Sequence, residues 1–131
     1  MTAYAQDLWR RAVKALSVAR ATLSMDPDAA ASRAYYAAFY AVSAMFALEE
    51  KWFKRHMAVE SAVHRDLVQA GKWPPEVGQA YSRLLERRAT GDYGVEKHVS
   101  AESASDSIAW AERMLRLVAT GSGGVLRYEG V

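Results

Sequence analysis

Residues 32–41 read Ser32-Arg33-Ala34-Tyr35-Tyr36-Ala37-Ala38-Phe39-Tyr40-Ala41, a run of alanine and apolar residues into which one arginine and three tyrosines are set. On a helix Ser32, Tyr36 and Tyr40 share a stripe at i, i+4, i+8, Arg33 lies beside it, and Tyr35 and Phe39 form a second ridge. Upstream, Asp26-Pro27 supplies an N-cap and a first-turn proline, so the spacing predicts a helix from there to about Glu50, roughly 36 Å long at 1.5 Å per residue. Alanines at 30, 34, 37, 38, 41, 44 and 47 leave room for close neighbours, and Tyr36, Phe39, Tyr40, Met45, Phe46 and Leu48 supply bulk. Such a helix is the spine of a domain. Its arginine either pairs inside the molecule or edges a groove that receives an anion.

The flanking sequence is helical as well. Leu8, Ala12, Ala15, Leu16, Ala19 and Leu23 recur at helical spacing over residues 3–23, leaving Arg10, Arg11, Lys14 and Arg20 for the solvent side. A third helix is expected over residues 56–70 with Gly71 as its left-handed stop, His64 and Arg65 lying on its solvated face. Pro74-Pro75 opens a fourth helix to about Arg88, residues 89–99 read as irregular around Gly91 and Gly94, and Ser100 caps a last helix ending at Gly121. No strand pattern or repeat competes. The expected fold is all-α, an up-and-down bundle of four main helices plus a short additional segment at His56, in one domain over residues 1–120 with a flexible tail over residues 121–131.

Composition narrows the function. The chain has 131 residues, of which 51% are hydrophobic and 24% charged, as in soluble globular domains. Without cysteine there is no disulfide scaffold and no thiolate metal site, and no apolar run reaches the ~20 residues of a membrane span. A cytoplasmic protein is expected. The spacings of di-metal bundles, zinc proteases, phosphate loops and dinucleotide folds are missing, so neither a metal nor a cofactor is expected. The net charge of +2 has a central bias, with nine Lys/Arg against six Asp/Glu over residues 51–100, pointing weakly to an anionic partner.

Four features in this order, Ser32-Arg33-Ala34-Tyr35-Tyr36-Ala37-Ala38-Phe39, Lys54-Arg55-His56, Gly71, and Arg88-Ala89-Thr90-Gly91-Asp92-Tyr93-Gly94, resemble the HEPN domain over about residues 5–118. The closest likeness is to the small prokaryotic HEPN proteins that stand alone as one domain. The resemblance implies a helical bundle that forms a homodimer. It also implies a place beside a minimal nucleotidyltransferase partner in a toxin–antitoxin or defence pair, and either metal-independent RNA cleavage or non-catalytic binding of a nucleotide or partner. Ribonuclease members carry Arg-x4–6-His, the arginine holding the scissile phosphate and the histidine moving the 2′-hydroxyl proton. Here Arg88 matches the arginine, Asp92 follows after three residues and His98 only after nine.

Arg88, Asp92 and His98 are therefore the catalytic candidates, His98 as a displaced general base and Asp92 either as a base or as an anchor for Arg88 or Arg33. Arg33, Tyr36, His56, Arg87, Tyr93 and Lys97 are the binding candidates. Arg33, Arg87, Arg88 and Lys97 are expected to converge on one RNA- or nucleotide-binding groove, with Tyr36 either a core tyrosine or a stacking surface. Trp9, Trp52, Trp73 and Trp110 exceed what a core of this size easily buries, which adds weight to a homodimer.

Overall fold

The computed structural model describes residues 2–129. Five α-helices follow one another: α1 (Thr2–Thr22), α2 (Pro27–Leu48), α3 (His56–Ala62), α4 (Pro75–Tyr93) and α5 (Ala101–Gly121), with a π-helical turn over Val63–Val68 continuing α3. They form a helical bundle, without a strand among the described residues. α2 is the spine, packed against α1, α4 and α5. Ala30, Ala31, Ala34, Ala37, Ala38, Ala41, Ala44 and Ala47 are all fully buried along it, and Ala5, Ala12, Ala15 and Ala19 are buried on α1. This run of methyl groups lets α1 lie close against α2, and the bulk is supplied by Leu16, Tyr35, Phe46, Tyr81, Leu84, Met114 and Leu115. Asp26 caps α2 by accepting from the Ala29 N–H at 3.1 Å, and Ser100 caps α5 by accepting from the Ser103 N–H at 3.0 Å.

The boundaries depart from expectation at the end of α4 and within the third helix. α4 does not stop at Arg88 but runs on to Tyr93, with Gly91 inside it. Gly91 is a crossing point: a Cβ there would lie 2.6 Å from the Asp28 carbonyl oxygen of α2. The third helix changes to π geometry at Val63, where the Gln69 N–H donates to the His64 carbonyl at 2.9 Å, five residues back. His64 is consequently not on a solvated face. Its Nε2 meets the Ser82 hydroxyl of α4 at 2.8 Å, in space left open by Gly78, where a Cβ would come within 3.1 Å of Nδ1. Gly71, with φ +80°, adopts the expected left-handed stop.

α2 ends at Leu48 because Glu50 takes the left-handed conformation, with φ +59°, and the Lys51 N–H reaches back to the Phe46 carbonyl at 2.9 Å. A side chain at such a position costs about 1 kcal/mol. Glu50→Gly is therefore expected to raise the melting temperature by a few degrees, read by thermal unfolding. No change, or a decrease, would mean that Glu50 makes a compensating contact.

The aromatic surplus is smaller than the tryptophan count suggests. Trp9 and Trp73 are core residues and Trp110 is half-buried, so Trp52 alone of the four is largely exposed. Beyond α5, the stretch expected to be a flexible tail lies, over its described part, across α1 and α5. Leu126 is buried, the Trp9 indole N–H donates to the Arg127 carbonyl at 2.8 Å, and the Gln6 amide donates to the Val125 carbonyl at 2.7 Å.

Candidate functional site

α2 and α4 bring Tyr36 and Arg88 together. The Arg88 Nη2 donates to the Tyr36 hydroxyl at 3.0 Å, and its guanidinium carbon lies 5.5 Å from the Tyr36 ring centre and 5.4 Å from that of Tyr93. One turn on along α4, Asp92 sets a carboxylate oxygen 3.1 Å from Arg88 Nε. The angle is too poor for a hydrogen bond, so the pair is held by charge while the buried Nε–H has no aligned acceptor. The opposing effects on Arg88 are burial, which disfavours its charge, and the Tyr36 hydroxyl with Tyr93 and Asp92, which outweigh burial; its pKa is raised and the guanidinium stays charged.

The first residue of α3 completes the cluster. The His56 ring packs 4.7 Å from Phe39, 5.5 Å from Tyr35 and 5.7 Å from Tyr36, centre to centre. Its Nδ1 and the Tyr35 hydroxyl are 2.8 Å apart. Burial, and then the nearby Arg88 charge, push the His56 pKa below the ordinary histidine value, so the ring is neutral at pH 7. Burial also raises the Tyr35 hydroxyl well above the usual tyrosine value. Nε2 of His56 has no hydrogen-bond partner among the described residues. On the α2 side Arg33 stacks over Tyr36, with 4.7 Å from its guanidinium carbon to the ring centre.

Arg33, Tyr36, His56, Arg88, Asp92 and Tyr93 thus form one constellation around the Tyr36 ring. The other three candidates lie elsewhere. Arg87 turns to α5, where Nη1 donates to the Ser103 carbonyl, Asp106 and the Ser107 hydroxyl at 3.1, 2.8 and 3.1 Å. Lys97 is exposed on the connection between α4 and α5, with no ion pair among the described residues. His98 is held by α2: its Nδ1 is 2.8 Å from Asp28 Oδ2, and the neighbouring Val99 N–H donates to Asp28 Oδ1 at 2.7 Å. The Val99 bond, then the His98 contact, hold the Asp28 carboxyl below its ordinary pKa. No hydrogen bond or ion pair joins His98 to Arg88, so among the described residues the histidine facing Arg88 is His56.

α1 adds cations beside this site. Arg10, Arg11 and Lys14, assigned to the solvent side, line a groove of about 410 Å³ with Asp7, Arg33 and Tyr40. The signal was the i, i+1, i+4 spacing of the three cations; what it lacked was the facing helix.

Among the described residues no three His, Asp or Glu side chains gather in a way that could hold a metal ion, and no helix is long and apolar enough to cross a membrane. The HEPN domain family model matches residues 5–121. The chain is similar to a UPF0332 protein of Thermotoga maritima, 38% identical over 111 residues that make up 83% of this chain and 84% of that protein.

Proposed function

This chain belongs to the HEPN domain family, and from that premise we propose that it binds RNA at the Arg88 cluster and cleaves it without a metal ion. The observation that carries this is the pairing of a charged guanidinium with a neutral imidazole on one ring: Arg88 and His56 lie 5.5 and 5.7 Å from the centre of Tyr36. Arg88 and Arg33 hold the scissile phosphate. His56 Nε2 takes the proton of the neighbouring 2′-hydroxyl, O2′ forms the new bond to phosphorus, and the bond from phosphorus to O5′ breaks. The imidazolium returns its proton to O5′, leaving a 2′,3′-cyclic phosphate and a 5′-hydroxyl. For Nε2 to act as the base, Nδ1 must carry the ring hydrogen and donate it to the Tyr35 oxygen.

The test is incubation of the purified protein with single-stranded RNA in the presence of a chelator, with identification of the product ends. Cyclic-phosphate ends that form with chelator present support the reading. Retention of RNA without cleavage, with or without chelator, would replace it by a second one, a non-catalytic module that docks a nucleotidyltransferase. That second reading is favoured by one observation: Arg88 is already engaged by Tyr36 and Asp92. The resemblance to small stand-alone HEPN proteins supports that partner, and a toxin–antitoxin or defence role, under either reading.

A homodimer belongs to the same proposal. Tyr93 is 71% exposed and Val95 88% exposed at the end of α4, beside the cluster, and a second copy covering them would bring two Arg88 sites toward a shared cleft. Sedimentation at micromolar concentration is expected to give the mass of two chains. A monomer there would rule the shared cleft out.

A further inference from the structure

We infer that the groove between α1 and α2 is a second contact for the same RNA, carrying the backbone of a single strand away from Arg88 and stacking one of its bases in an adjoining aromatic pocket. The inference rests on the Arg88 cluster as the reacting end, and it extends that site by residues on a different helix.

The groove has the volume of a nucleotide-sized site, about 410 Å³, and its polar wall is one-sided in charge. Arg10, Arg11, Lys14 and Arg33 face it against a single carboxylate, Asp7. That carboxylate lies 3.7 Å from Arg10 and 3.6 Å from Arg11, across solvent-exposed side chains, a kind of pairing that holds cations weakly. Lys14 and Arg33 have no ion pair among the described residues. Arg33 joins this groove to the cluster: it lines the groove with Arg10, Arg11 and Lys14, and it lies against the same Tyr36 ring as Arg88. A row of cations leading from a reacting centre tracks a phosphate backbone.

The second observation is independent of charge. Tyr40 also forms one wall of a smaller pocket of about 200 Å³, lined by Tyr4, Phe39, Lys51, Trp52 and Phe53. Tyr4 and Trp52 are each about half exposed, which leaves aromatic surface in this lining for a planar guest. Ser43, in the same wall, has a hydroxyl without a hydrogen-bond partner. A nucleotide-sized cationic space and a smaller aromatic one thus meet at one tyrosine, Tyr40. An acidic protein segment would use the cations and leave the aromatic pocket unexplained. A second copy of this chain fits less well, since a two-fold contact would set the cationic groove against itself with Asp7 as its only acid.

The test uses the full chain and a fluorescein-labelled decauridylate, with binding read by polarisation at several salt concentrations. Reversing Arg10 and Lys14 together to glutamate is expected to weaken binding roughly tenfold or more, and to flatten the salt dependence by about 0.7 in log–log slope per lost phosphate contact. Trp52→Ala is expected to weaken binding several-fold with the salt slope unchanged. Arg113→Glu, on α5, makes half of that change in net charge away from the groove and should cost much less than half of the groove variant's loss in log Kd. An equal loss in the Arg113 variant, or wild-type affinity in the groove variant, would overturn the inference. So would dissociation of a dimer by the groove variant, which would make the groove a subunit contact. Arg88→Ala separates the two claims: if it binds as wild type while the groove variant does not, the groove stands and the Arg88 site falls, and the converse pattern reverses that. A wild-type chain that binds no RNA removes both.

Discussion

Replacing His56 by alanine is expected to slow metal-independent RNA cleavage by ~100-fold to 10,000-fold while leaving RNA affinity nearly unchanged, the signature of losing a proton-transfer group. His98→Ala, by contrast, should leave the rate close to wild type, because His98 is engaged with Asp28 at the start of α2 and has no hydrogen bond or ion pair with Arg88. Arg88→Ala should reduce both rate and affinity, since it removes the charge that holds the phosphate. Tyr35→Phe keeps the ring but removes the partner of His56 Nδ1, and its expected loss is smaller than that of His56→Ala. The pH profile gives a separate check. With the folded His56 pKa below its ordinary value, cleavage should persist to lower pH than an unperturbed histidine would allow and fall as pH drops through that lowered value, where the imidazole takes up its proton. Stability moves in the same direction. Below about pH 6.5 the unfolded chain binds a proton that folded His56 declines, so its contribution is complete above that range and is lost as pH drops through the folded value. Cleavage abolished by His98→Ala and retained by His56→Ala would overturn this assignment.

Gly91→Val is expected to damage the fold strongly although it lies outside the apolar core. Its Cβ would stand 2.6 Å from the Asp28 carbonyl oxygen, and the obstacle is backbone, anchored by the first turn of α2 and by the Val99 and His98 contacts to the Asp28 side chain. Relief requires α4 to move away from α2 at a cost of roughly 2–3 kcal/mol, or about ten degrees in melting temperature for a domain of this size. Gly78→Ala is the informative comparison. Its Cβ would come 2.7 Å from Val68 Cγ2, the end of a side chain that can rotate, so a smaller shift is expected. Because Arg88 and Asp92 flank Gly91 on the same helix, the valine variant should also lose RNA affinity at temperatures where it is still folded. A Gly91→Val protein as stable as wild type would show that α2 and α4 do not cross so closely.

The bundle was legible because helical periodicity is a local property. The alanine ladder of α2, the Asp26-Pro27 start, the Ser100 cap and the Gly71 stop each follow from neighbours a few residues away. Gly91 misled because a glycine that ends a helix and one that admits a crossing helix look the same in sequence; only the carbonyl of Asp28 separates them. The candidate site was half legible for the same reason. Arg88, Tyr36, Asp92 and Tyr93 could be named from their motif and spacing, and they meet. The histidine facing Arg88, however, is not the one nearest along the chain: His56 comes from an element 32 residues earlier, brought in by packing against Tyr35 and Phe39. Arg10, Arg11 and Lys14 are exposed, as their spacing indicates, but a cationic helix face says nothing about the arginine opposite.

The segment after α5 bears on how the molecule opens. It joins Trp9 to Arg127 and Gln6 to Val125 across almost the whole length of the chain, yet apart from Leu126 its described residues are at least partly exposed. Its release would leave the α2 spine and its alanine contacts intact, so it is the natural first step of local unfolding, separate from collapse of the bundle. Trp9 sits at the point of release, packed under the strap with its indole hydrogen on the Arg127 carbonyl. In a chain whose Trp52, Trp73 and Trp110 are replaced by phenylalanine, the fluorescence of that ring serves as a gauge, changing when the strap lifts while the helical circular dichroism stays constant.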